Sequence, residues 1–187
     1  MNENILLERY EKYASLLSRV FEEDKVQAML DALGERIVLC PTSLIDGQGG
    51  NPGMLVETSL QVAQKSKMLA ESHGLSRSAV RVALVHELGR VGDLSEDLYQ
   101  IQDSEWHRDK LNQNYKYNEK CVKMNIAHRS LYILQNFKLE LSQDEWIAVV
   151  TSQGLQAPEN SFYNSNQSIL GPILRFSKEH VTHMFDT

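Results

Sequence analysis

The decapeptide LVHELGRVGD, residues 84 to 93, sets an imidazole beside a carboxylate, His86 and Glu87, at the end of an apolar run. Such a pair can ligate a metal or move a proton, and it can equally be a hydrogen-bonded polar pair at a helix end. It begins like the zinc-protease pattern H-E-x-x-H, but Arg90 stands where the second histidine belongs, so that reading fails. A second group of chemically capable side chains lies in DSEWHRDKLNQNYKYN: Asp103, Trp106, His107, Arg108, Lys116 and Tyr117. These offer stacking surfaces and phosphate-binding groups; the alternative is a packed surface hairpin. His73, ahead of a helix stop, and His180 with His183, spaced i, i+3, read as surface residues.

Helices must position these groups. Leu6, Tyr10, Tyr13, Leu17 and Phe21 form one helical stripe over 4–21, and Val26, Met29, Leu30 and Leu33 another over 23–33, with Gly34 as its expected stop. Residues 35–53 read as loop, with the glycine-rich core PTSLIDGQGGNPG. A long helix is expected from Met54 to His73, closed by Gly74, and Ser76 is expected to cap the next, which ends in the His-Glu pair. Residues 94–120 are Tyr-rich and polar and predict a hairpin or ordered flap. Further helices are expected at 128–137, from a Ser142/Glu145 capping box to Ser152, and over 168–184 with Pro172 in the first turn.

The chain of 187 residues favours one domain, and its 42% hydrophobic and 24% charged content is ordinary for a globular protein. No apolar run approaches the roughly 18 residues of a membrane span. The start, MNENILLERYEKY, lacks the basic and apolar regions of a secretory signal, and Cys40 and Cys121 are far apart, so free thiols in a cytoplasm are expected. A net charge of −6 with no basic block disfavours tight binding to nucleic acid.

LVHELGRVGD is close to the pattern L-x-H-D-x-G-K-x-G-D, and QDSEWHRDKLNQNYKYN followed by AHRSLYILQNF matches a flap and its following helix. With the glycine-rich loop and the helix opening GMLVETSLQVA, the chain from Arg36 to Thr182 resembles the small HD-domain phosphohydrolases of bacteria and tailed phages. The resemblance implies an all-α, HD-like bundle of six or seven helices with a small β-hairpin. It implies a single domain over 1–187, with N-terminal helices at 1–34, a core at 35–184 and a flap at 94–120. It places the protein in the cytoplasm of a bacterial or phage-infected cell. It also implies a metal site built from an early histidine, the His-Asp pair and a distal aspartate, because a dication needs several N and O ligands and an open position for water.

Position by position, the resemblance puts Thr58 at the early histidine, Glu87 at the aspartate of the pair, Lys178 at the distal aspartate and Ser152 at a later histidine. His86, Asp93 and His128 remain. A lysine ammonium has no lone pair and repels a dication, so no standard metal site and no cofactor are expected; any residual metal binding would rest on His86 and Glu87. Lys178 lies on the apolar stripe of Leu170, Leu174, Val181 and Phe185, four after Leu174 and three before Val181. It should therefore point inward and pair with Glu87, one ammonium balancing one carboxylate, and Lys178→Met should cost several kcal/mol.

Three readings follow. The first is a degenerate domain that acts by binding a nucleotide-like or phosphate-bearing ligand, or a protein partner or second copy of itself, with Asn51 and Gly53 near the flap mouth. The second is a nucleotide phosphohydrolase with an atypical site of His86, Glu87, Asp93 and His128, using Mn, Fe, Co, Ni or Zn. The third is a phage or host regulatory protein that contacts an enzyme through its flap.

Overall fold

The protein is described by a computed structural model covering residues 3–156, 158–165 and 167–185. It is mainly helical, with one small antiparallel sheet. In chain order the elements are α1 Glu3–Val20, α2 Glu23–Leu39, α3 Met54–Ala70, α4 Ser76–Val85, β1 Tyr99–Ile101, α5 Glu105–Leu111, β2 Tyr115–Tyr117, α6 Ile126–Asn136, α7 Gln143–Thr151 and α8 Leu170–Phe185. The seven helices expected from the stripes are present, and the short α5 adds an eighth within the flap.

α3 and α4 form the central pair; α8 lies against α3, α7 against α8, and α1 and α2 cover the other side. The α1 stripe supplies Tyr13, Leu17 and Phe21 to a core that also takes Leu170, Leu174 and Val181 from α8. The side chain of Phe185, the last member of that expected stripe, lies outside the described residues. Among the described residues no helix is long and apolar enough to cross a membrane.

Gly34 does not stop α2, which continues to Leu39. The stripe runs on to Ile37, fully buried, and Gly34 sits where a Cβ would strike the Tyr10 hydroxyl of α1. The glycine is there for close helix packing, and a division at 34/35 falls inside a helix. Ser76 is the first residue of α4 rather than its cap; Leu75 holds the cap position and no side chain closes it. The Ser142/Glu145 capping box forms as expected, with both reciprocal hydrogen bonds.

The turn after α4, Leu88–Val91, is held from behind by α6. Gly89 N donates to Ser130 Oγ at 2.8 Å, and that hydroxyl reaches the His86 carbonyl at 3.0 Å. Arg129, 2% exposed, donates to the carbonyls of Gly89 (3.1 Å) and Val122 (2.6 Å). A Cβ on Gly89 would run into the Ile126 carbonyl.

β1 and β2 pair Tyr99 with Tyr117 and Ile101 with Tyr115, with α5 inserted between them. The flap is stitched to the glycine-rich loop: Tyr115 N donates to Leu44 O, Asn114 Nδ2 to Gly50 O and Asp46 N to Asn112 O. Arg36 of α2 clamps its base, pairing with Asp97 and donating to the carbonyls of Val91 and Asp93.

Because α6 contacts the backbone of Gly89 directly, Gly89→Ala should overpack this joint. The expected loss is about 1–3 kcal/mol in urea unfolding, with an unchanged m-value.

Candidate functional site

Four segments distant in sequence meet around Glu87: α3, the turn after α4, the end of α7, and α8. Glu87 is 3% exposed. Its Oε2 pairs with Arg90 Nε; its Oε1 lies 2.7 Å from Lys178 Nζ and accepts from Gln153 Nε2 at 2.8 Å. Lys178 also donates to the Ser152 carbonyl at 3.4 Å. The group borders a cavity of about 100 Å³ whose other walls are Thr42, Gln48 and Gly49 of the glycine-rich loop, Thr58 of α3 and Thr182 of α8.

The Lys178–Glu87 pair expected from the α8 stripe is therefore present, but the expected charge count is corrected. Two cations, not one, face the carboxylate, because Arg90 turns back on Glu87 three residues before it. That i, i+3 spacing was the available signal in the sequence. Gln153 carried no comparable signal. Burial alone would raise the Glu87 carboxyl, yet Arg90 and Lys178 hold it well below the ordinary carboxylate range. Burial likewise opposes the Arg90 charge, and Glu87 overcomes it, leaving the guanidinium more firmly protonated than usual.

His86 is fully buried. Its Nδ1 donates to the Ala83 carbonyl at 2.9 Å, and its Nε2 has no hydrogen-bond partner among the described residues. Burial pushes the imidazole down to about 4, assisted by Lys178, so it is neutral near pH 7.

A divalent metal does not fit these residues. Both Glu87 oxygens are held by cationic or amide donors, Thr58 supplies only a neutral hydroxyl, and an ammonium and a guanidinium would repel the ion. Among the described residues no three His, Cys, Asp or Glu side chains gather in a way that could hold a metal.

Of the remaining candidate positions, Ser152 meets the site through its carbonyl, while its hydroxyl is buried without a partner among the described residues. Asp93 and His128 do not join it. Asp93 closes the turn below the flap: slight burial opposes its charge, but the N–H groups of Ser95, Glu96 and Val122 bring its carboxyl down to about 2. His128 is exposed and lines a groove with Tyr132 and Trp146. It is the adjacent Arg129, about 100° further round the helix, that turns inward.

The flap groups are engaged with the flap itself. Lys116 pairs with Asp103 at 2.7 Å, His107 Nδ1 lies 2.8 Å from Ser104 Oγ, and Arg108 donates to the Gln102 carbonyl at 2.5 Å. Trp106 is 59% exposed and meets His107 edge-on, and Tyr117, equally exposed, stacks on Tyr99. Asn51 bonds Asp46 within its own loop and Gly53 precedes α3; Thr42, Gln48 and Gly49 are the loop residues that reach the cavity. His73, His180 and His183 are exposed, as the sequence suggests.

On the other side of Arg90 lies an open cleft of about 570 Å³. It is lined by Tyr99, Ile101 and Tyr115 of the sheet, by Leu39, Pro41 and Pro52, and by the charged pair Arg36 and Asp97. Arg90 Nη1 donates to the Tyr99 hydroxyl at 2.8 Å and to the Thr42 carbonyl at 2.6 Å. Burial pushes the Tyr99 phenol up to about 12.

The charge arrangement orders two substitutions. Glu87→Gln leaves two half-buried cations facing each other and should cost about 3–5 kcal/mol. Lys178→Met leaves Glu87 paired with Arg90 and should cost about 1–2 kcal/mol, which lowers the several kcal/mol expected for a lone ion pair. Chemical denaturation of both variants reads the order directly, and the reverse order would contradict the two-cation count.

His86 also fixes a pH window. The unfolded chain protonates this histidine near its ordinary 6.5 while the folded protein holds it neutral to about 4. Stability should therefore fall as pH drops from about 6.5 to about 4, by about 3 kcal/mol from this group, and level off below. The contribution of Glu87, whose carboxyl is depressed, begins to fade near the ordinary carboxylate value of 4.5 and is lost as pH falls below it. Urea midpoints across pH 4–8 should show the first phase in the native sequence and not in His86→Gln.

No family model, curated protein or solved structure matches the chain.

Proposed function

We propose that this protein is a degenerate HD-type domain that acts by binding a phosphate-bearing, nucleotide-like ligand without hydrolysing it. One observation carries the reading: the Lys178 ammonium, 2.7 Å from Glu87, occupies the neighbourhood where the resemblance would put a metal. Thr58, Glu87 and Lys178 come from three separate segments and border one small space, and Ser152 reaches it only through a carbonyl that accepts from Lys178. This grouping supports the position-by-position likeness.

The chemistry follows from the side chains present. Hydrolysis of a phosphate ester needs an activated water, and the residues here offer no base suited to that work. Glu87 is locked between two cations and far from the pKa of an effective base near neutrality. His86 is buried, neutral and aligned to a backbone carbonyl. What the residues can do is hold negative charge and exclude water. The neighbouring cleft, about 570 Å³, lies within the roughly 300–1,000 Å³ span of small-molecule pockets and has aromatic and aliphatic walls suited to a planar group.

Elemental analysis of protein purified without chelators or a metal-affinity tag tests the reading. The expected result is far less than one equivalent of Mn, Fe, Co, Ni or Zn per chain, with no phosphate released from nucleotides supplied with those ions. Close to one equivalent, lost in His86→Ala, would replace this reading with that of an atypical metal-dependent phosphohydrolase.

A further inference from the structure

We propose that the cavity between Thr58, Arg90 and Lys178 is a binding site for one tetrahedral oxyanion, a phosphate ion or a terminal phosphoryl group, held directly by the protein's own cations. The proposal rests on the reading that this site binds rather than turns over, and it names the chemistry of the group bound.

Charge is the first argument. The walls of the cavity carry two cations, Arg90 and Lys178, and one carboxylate, Glu87. That leaves a surplus of one positive charge in a space largely shielded from solvent: the side chains of Lys178, Arg90 and Glu87 are 21%, 19% and 4% exposed. A surplus charge under such shielding attracts an anion more strongly than the same charge on an open surface.

Unfilled hydrogen-bonding capacity is the second. Arg90 directs Nε to Glu87 and Nη1 to Thr42 O and Tyr99 Oη, while its Nη2 makes no hydrogen bond among the described residues. Nor is Nη2 one of the buried atoms left without a partner, so it is open to an incoming group. Lys178 makes two contacts, to Glu87 and Ser152 O, with three N–H donors to place. Thr58 borders the same space, and its hydroxyl makes no hydrogen bond among the described residues. Guanidinium, ammonium and hydroxyl together are the donor set that recognises phosphate oxygens.

Size is the third. The cavity, about 100 Å³, is well below the roughly 300–1,000 Å³ of pockets that enclose drug-sized ligands. This suits a single tetrahedral group and is too small for a nucleoside. Any ester substituent on the phosphoryl group must lie outside it. The substitutions that remove metal ligands thus reverse the polarity of the site: where relatives would place a cation among carboxylates, this chain places cations around a space fit for an anion.

The test is thermal unfolding of the full chain in phosphate-free buffer, titrated with inorganic phosphate and, in a second arm, with a nucleoside monophosphate. Chloride keeps ionic strength constant. Phosphate near 100 times its Kd should raise Tm by about 5 °C or more. Tighter binding of the ester would identify the terminal group of a larger ligand, and equal binding the free ion. Thr58→Val, which alters no charge, should weaken binding several-fold while leaving Tm without phosphate nearly unchanged. Lys178→Met should abolish the shift. Glu87→Gln should lower Tm without phosphate yet enlarge the phosphate shift, an opposition that a purely structural carboxylate would not produce. Lys116→Met, on the flap, should behave like the native sequence. A native protein indifferent to phosphate, or a shift unaffected by both Thr58→Val and Lys178→Met, would overturn the oxyanion site. If that protein is also metal-free, the reading as a non-hydrolytic binder stands and only the anion pocket falls; a resident metal would overturn that reading itself.

Discussion

A single buried carboxylate sets the terms for the rest of this structure. Glu87 cannot remain ionised at 3% exposure without partners, because desolvation of a lone charge costs several kcal/mol. Its partners come from three places: Arg90 from the same turn, Lys178 from α8 and Gln153 from just beyond α7. Meeting that one requirement therefore fixes how the ends of α4 and α7 and the middle of α8 sit with respect to each other. The apolar contacts of α8 through Leu170, Leu174 and Val181 supply most of the burial, while the ionic contacts choose the rotation that presents Lys178 inward.

The same turn is fixed from its other side. Ser130 and Arg129 of α6 meet its backbone N–H and carbonyl groups, and Gly89 allows the approach. The turn is thus clamped between a polar backbone contact behind and a charged side-chain contact in front. Arg90 then reaches forward to the Tyr99 hydroxyl, so the flap is tied to the core through a guanidinium whose orientation Glu87 sets. Rigidity of this kind is what a binding surface needs if it is not to lose affinity to ordering costs.

Much of the helical framework was legible in the sequence because apolar stripes repeat with the helical period and because Ser142 and Glu145 carry a local capping signal. Gly34 was misread since glycine marks both helix ends and close helix contacts, and only the position of Tyr10 on another helix separates the two. α5 escaped because a seven-residue, mostly charged helix has no buried face to betray it. At the site, Lys178 on an apolar stripe was a strong signal, since a cation there needs a partner. Arg90 stood out as an obstacle to a protease pattern, and its i, i+3 spacing from Glu87 was the one local sign of their pairing. Its contact with Tyr99 arises from tertiary structure, as do the inward turn of Arg129 and the outward turn of its neighbour His128. The flap residues have suitable chemistry, but their mutual neutralisation depends on a strand register that composition does not disclose.

A cation that is part of the chain differs from a bound ion in one respect beyond its charge. A dissociable metal stabilises a fold according to its concentration in the medium, and the protein competes for it with every other chelator in the cell. The Lys178 ammonium is supplied by α8 at an effective concentration set by a covalent tether, which dilution does not change. Once the helix has docked, the counter-ion of Glu87 is always present. The charge balance at Glu87 therefore depends on the docking of the last described helix and not on any dissolved ion.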